Sequence, residues 1–131
     1  MLKVTIASAN TGTKLEFSKV GNEYFTVEFS SPSLTAFHQV WMYAGDGERL
    51  SSLFEEMAEN WTGWEGVKIW DAIEGDFRLS CTSDKLGHIT LKVKLVGRNS
   101  PQVWTVELNM EIEAGQLERI ANETKLLFRG C

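Results

Sequence analysis

Apolar residues recur along this chain with two different periods, and the changes of period mark out its elements. Leu2, Val4 and Ile6 alternate with polar neighbours, as do Leu15 and Phe17, then Phe25, Val27 and Phe29 within the run Tyr24 to Ser30. A period of two is that of a strand with one buried face. Thr11-Gly12, Val20-Gly21-Asn22 and Ser31-Pro32-Ser33 supply turns between these strands. Leu34 to Tyr43 resumes as a fourth strand, whose inward set stays open because both parities carry large residues. From Asp46 the period becomes helical: Leu50, Leu53, Phe54, Met57, Ala58 and Trp61 share one arc, opposite Glu48, Ser52, Glu55, Glu56 and Glu59. Asp46 is placed to cap the first turn and Gly63 to end the helix in the left-handed conformation, with Trp64 packing back on the last turn.

Alternation returns beyond Trp70. Phe77, Leu79 and Cys81 form one face, and Thr82 to Gly87 has turn chemistry. Ile89, Leu91, Val93 and Leu95 then point one way, and His88, Thr90, Lys92 and Lys94 the other. After a turn over 97–101, Trp104, Val106, Leu108, Met110 and Ile112 alternate with Val103, Thr105, Glu107, Asn109 and Glu111. A helical stripe of Leu117, Ile120, Ala121, Thr124, Leu127 and Phe128 follows. The order ββββ-α-βββ-α predicts a single α+β domain over residues 1–131. Its expected form is a curved antiparallel sheet of about six to seven strands with two helices packed on one face.

Composition narrows the partners. A formal charge of −5 with dispersed lysines and arginines argues against nucleic acid and anionic membranes, which need a concentrated basic face. No apolar run approaches membrane-spanning length, and Met1 to Ile6 reads as a strand and not as a signal peptide, so a cytoplasmic protein is expected. Cys81 and Cys131 fit neither a metal spacing nor a redox motif; Cys81 reads as a small buried residue and Cys131 as a frayed end. No cofactor or metal site is expected.

Catalytic signatures are sparse. Cys81, Asp84 and His88 lie near one turn and define a third-ranked enzyme reading, with His88 more simply an exposed strand residue. His38 has no partner of suitable spacing. Asp71, Glu74 and Asp76 are accounted for by an acidic turn around Gly75. The chain is therefore read as non-catalytic, with no catalytic residue assigned.

Three of the five tryptophans fall in the segment Trp61-Thr62-Gly63-Trp64-Glu65-Gly66-Val67-Lys68-Ile69-Trp70. Trp61 belongs to the helical stripe and is expected to be buried, as are Trp41 and Trp104 in their strands. Trp70 has the opposite parity from Val67 and Ile69, which makes it the expected exposed aromatic. Trp64, Glu65, Trp70 and Asp71 thus form one candidate binding surface for a sugar or metabolite. Glu55 and Glu59 on the first helix, with Glu107 and Glu111 on an outward strand face, form another, suited to a basic protein.

The string Trp61-x-Gly63-Trp64-x-Gly66, then Trp70, an acidic turn and Phe77-Arg78-Leu79, resembles a bacterial family of small domains of unknown function. Gly87-His88-Ile89-x-Leu91-x-Val93, Trp104 and Glu113-Ala114-Gly115-Gln116-Leu117 extend the resemblance over residues 50 to 127. The layout is similar to that of small cytoplasmic immunity proteins. This resemblance implies a protein-binding module that neutralises a basic toxin through an acidic surface, and it assigns no catalytic residue; the oligomeric state, monomer or homodimer, stays open.

Overall fold

The computed structural model describes residues 2–98 and 101–131. Four strands come first: β1 (Lys3–Ala7), β2 (Lys14–Ser18), β3 (Tyr24–Ser31) and β4 (Leu34–Trp41), followed by helix α1 (Asp46–Glu59). Four more follow: β5 (Lys68–Asp71), β6 (Phe77–Ser83), β7 (His88–Gly97) and β8 (Trp104–Glu113). A 3₁₀ turn, Ala114–Gln116, then leads into α2 (Leu117–Leu127). The turn expected over 97–101 lies partly outside the described residues. The α+β class is as the periodicities require, but the single sheet is not. The strands form two antiparallel sheets, in the orders β1-β2-β3-β4 and β5-β6-β7-β8. The order ββββα therefore occurs twice, although no sequence repeat announces it. Continuity fails between β4 and β5 because α1 and its following loop separate them. The extra strand, β5, is only four residues long and pairs Lys68 with Cys81 and Trp70 with Leu79.

Both sheets turn their alternating apolar faces into one core. Phe17 on β2 is its centre, with ring centroids 6.0 Å from Phe25, 6.3 Å from Phe54 on α1, 6.1 Å from Phe77 on β6 and 6.0 Å from Phe128 beyond α2. All are edge-on contacts, the arrangement that the aromatic quadrupole favours. The helices pack on one another, α1 also against β5 and α2 against β1. Gln116 fastens that last contact by donating from Nε2 to the carbonyl of Ala7, while its Oε1 accepts the Glu113 amide in a capping box.

Helix α1 departs from its expected ends. Gly45, at φ 86°, is the N-cap, and Asp46 lies inside the first turn without capping it. Its buried carboxylate instead accepts from the Tyr43 amide and the Arg49 guanidinium. The helix stops at Glu59, and Gly63 closes a separate turn by donating its amide to the Asn60 carbonyl. Cys131 is not frayed, since its carbonyl accepts the amides of Gly45 and Gly47 at 3.1 and 3.2 Å. Gly47 is needed there: a Cβ would stand 2.9 Å from both Cys131 Cβ and Phe128 Cδ1.

Phe17→Ala is expected to lower the free energy of unfolding by about 3–5 kcal/mol, because the cavity left by the central ring has walls from both sheets and both helices. Urea denaturation followed by circular dichroism measures this; a loss below about 1 kcal/mol would mean that the ring is not central.

Candidate functional site

The tryptophan segment folds differently from its parity. Val67 and Ile69 are exposed, and Trp70 is the residue that points inward, 5% exposed. Its indole packs on Phe25 and Phe77 at 6.3 and 5.7 Å and donates Nε1–H to the carbonyl of Asp46. The parity was right and the choice of face inverted. A large ring whose single donor finds a buried acceptor contributes more inside than two aliphatic residues on a short edge strand. Trp61 is displaced the other way, to 61% exposure, because the helix ends two residues before it. Trp64 is half-buried, with Nε1–H donated to the Cys81 carbonyl and the Lys68 ammonium 5.5 Å from its ring centroid. Glu65 is exposed, and exposed Asp71 pairs with Arg78 at 2.9 Å. Trp64, Glu65, Trp70 and Asp71 therefore do not form one stacking surface.

The acidic positions are partly neutralised. Lys125 lies 3.2 Å from Glu55, and Lys92 lies 2.8 Å from Glu107, which it holds below the ordinary carboxylate range. Glu59 is exposed at the end of α1. Glu111 gathers with His88 and Glu113 so that one ligand atom from each lies within 4.8 Å of the others; a divalent cation would find its donors there. Asp84 accepts from His88 Nδ1 at 2.9 Å, and His88 Nε2 is 3.8 Å from Glu113. Cys81 takes no part, because its thiol faces the core and burial pushes its pKa up to about 12, against a small opposing effect of Lys68. The Cys81–Asp84–His88 grouping thus lacks an accessible nucleophile.

A second histidine occupies a more enclosed place. Ala36, His38 and Val40 are the inward residues of β4, which resolves the parity left open in that strand. His38 is 8% exposed, and its Nε2 lies 2.7 Å from Oδ2 of Asp76, itself buried in the turn before β6. The Asp76 carbonyl accepts the amide of Val96 on β7, so the pair bridges one sheet to the other. Asp76 Oδ1 is buried without a hydrogen-bond partner. A buried polar pair with an unsatisfied oxygen is costly as a structural device, and each such group in a folded protein calls for an explanation.

Above this pair runs a cleft of about 720 Å³ along the free edge of β4 and across the start of β8. Leu34, Ala36, Phe37, Trp104 and Val106 supply apolar wall, with His38, Gln39, Thr26 and Lys19 as polar groups. Trp104 meets the His38 ring edge-on at 6.5 Å. It is paired in register with Gly97, where any Cβ would fall inside the indole. The glycine is what lets the tryptophan lie across β7 and form the cleft wall. Lys19 at the rim has φ 52°, a left-handed conformation that costs a non-glycine residue roughly 1 kcal/mol or more and is found preferentially at functional positions. A distinct cleft of about 690 Å³ lies between Trp61, Leu86 and the Glu113–Glu118 segment.

Two antiparallel meanders share one core with two helices in a small α+β domain, and His38, backed by Asp76, stands in the wall of an apolar cleft. The chain belongs to the family described as "Family of unknown function (DUF6228)", whose model matches residues 6–130. The match takes in the first meander as well, and with it His38. No curated protein and no solved structure matches the chain. No helix among the described residues is long and apolar enough to cross a membrane.

Two outcomes test this geometry. With maleimide under native conditions Cys131 should react and Cys81 should not, becoming reactive only on unfolding; rapid native labelling of Cys81 would place its thiol outside the core. Second, the Asp84 hydrogen bond raises His88 above its ordinary 6.5, and hydrogen bonds from the His88 amide, then the Leu86 amide and the imidazole, lower Asp84 below 3.8. The stabilisation from this pair is then whole between those two ordinary values. It is lost as pH rises through the raised His88 pKa and as pH falls through the lowered Asp84 pKa. NMR titration of the His88 ring should show a downward move in Asp84→Asn, and an unmoved midpoint counts against the contact.

Proposed function

We propose that the protein is a non-catalytic binding domain that takes a small, largely apolar ligand in the cleft between β4 and β8. The observation that carries this reading is the placement of His38. It is nine-tenths buried, held from behind by Asp76, and forms part of the wall of a cleft whose size suits a small organic molecule. Phe37 and Leu34 stand exposed at its mouth, and covering them is what a bound apolar body would contribute. Asp76 orients the ring, so a ligand meets a polar group already fixed in position.

Trp104 supplies the readout. Titration with a panel of amphipathic metabolites should shift the Trp104 indole NMR signal saturably. Gly97→Val should abolish the effect by driving the indole off β7 and into the cleft. A panel without response, or equal responses in wild type and Gly97→Val, would rule out the cleft as the site.

A second reading keeps a protein partner. Trp61, 61% exposed, and Leu86, 81% exposed, stand on the walls of the other cleft, beside Glu113 and Glu118. Exposed aromatic and aliphatic anchors with acidic neighbours suit a basic protein better than the lysine-paired Glu55 and Glu107 do. Mixing with a panel of basic bacterial toxin domains should give complex formation that weakens with salt and fails in Trp61→Ala. Binding indifferent to both changes would remove this face from consideration.

A further inference from the structure

We infer that the ligand of the β4–β8 cleft is an organic acid: a carboxylate on an apolar aliphatic or aromatic body. The inference rests on the cleft being a binding site and adds the charge of what enters it. The chain holds 18 aspartates and glutamates against 13 lysines and arginines. Yet no acidic side chain lines this cleft among the described residues; its ionisable lining residues are Lys19 and His38. The other large cleft shows no such bias, since Lys85 there is accompanied by Glu113 and Glu118. An acid-free pocket in an acidic protein selects for negative charge, because a cationic ligand would find no counter-charge on these walls.

The arrangement of the two groups gives the ligand its orientation. Asp76 takes Nε2 of His38, which leaves Nδ1 as the ring nitrogen for a ligand. A carboxylate at Nδ1 needs a proton on that nitrogen as well as on Nε2, and the Lys19 ammonium at the rim balances the charge that the ligand adds. Leu34, Phe37, Trp104 and Val106 then enclose the hydrocarbon part. Phosphate esters fit less well, since one lysine and one imidazole leave most of a dianion's acceptors unmet.

The ionisable groups of the cleft lining come from two segments, Lys19 from the β2–β3 loop and His38 from β4, while Asp76, from the turn before β6, lies behind His38 and outside the lining. Lys19 is exposed and outside the core, so its substitution leaves the fold intact. His38→Ala strands the buried Asp76 carboxylate and is unsuitable as the sole test.

The experiment compares 3-phenylpropionate and octanoate with 3-phenylpropionamide and octanamide, titrated into the full chain and followed at the Trp104 indole. The carboxylates are expected to bind about tenfold more tightly than the amides, the difference made by a charge-assisted hydrogen bond and one ammonium. Lys19→Gln should reduce carboxylate affinity roughly fivefold and leave the amides unchanged. Gly97→Val should abolish both. Amides binding as well as the acids, or a Lys19→Gln loss shared by both, would overturn the carboxylate assignment while leaving the cleft as a site. If neither series binds in the millimolar range, the cleft reading falls with it.

Discussion

One phenylalanine holds the two halves of this protein together. Phe17 is the residue on which both sheets and both helical segments converge, with edge-on neighbours from β3, α1, β6 and the end of α2. Neither four-stranded meander has covering for its apolar face within its own strands. The first needs α2, which packs on β1, and the second needs α1, which packs on β5. Since hydrophobic burial is the chief favourable contribution to folding, the fold exists only when both halves are present.

That mutual covering sets where the clefts lie. The sheets join around the aromatic cluster, but β4 and β8 are edges to which no further strand is added among the described residues, β8 receiving only the Ala9 amide at the Glu111 carbonyl. Beside β4 the two sheets are bridged by a polar contact, from His38 to Asp76 in the turn before β6, in place of a ladder. Where strands pair, backbone groups and side chains close the surface. Where one side-chain hydrogen bond takes the place of a ladder, a groove remains with apolar residues along it. The site is thus a consequence of how the sheet was divided.

Much of the architecture was legible in the chain. Alternation gave the inward faces of β1, β2, β3, β6 and β7, and the helical stripe of α2 from Leu117 to Leu127 is buried where its period places it. What local pattern does not carry is closure. Whether β4 continues into β5 depends on the path of α1, a tertiary matter, and so one sheet was expected where there are two. Trp61 failed for a different reason: periodicity persists in the sequence past the point where the backbone stops being helical at Glu59. For Trp70 the alternation was correct and only its sense was lost, because β5 is too short for its face to be read without its neighbour Leu79. The candidate site was the least legible part. His38 and Asp76 lie 38 residues apart, one on β4 and the other in the turn before β6, with no spacing to relate them. Two signals did exist. Ala36 and Val40 share the parity of His38, and Gly97 is a glycine in an otherwise bulky strand, the mark of something lying close across the backbone.

The contacts of Phe128 with Phe17 and Phe25 carry a consequence for biosynthesis. A ribosome releases residue 17 long before it has joined residue 128, and during that interval the first meander must travel with its aromatic face uncovered. Exposed strands with an open apolar side are the surfaces on which nascent chains associate wrongly. The first meander is itself neutral, with Lys3, Lys14 and Lys19 against Glu16, Glu23 and Glu28, so any repulsion between half-made chains comes from the acidic helix α1 that follows it.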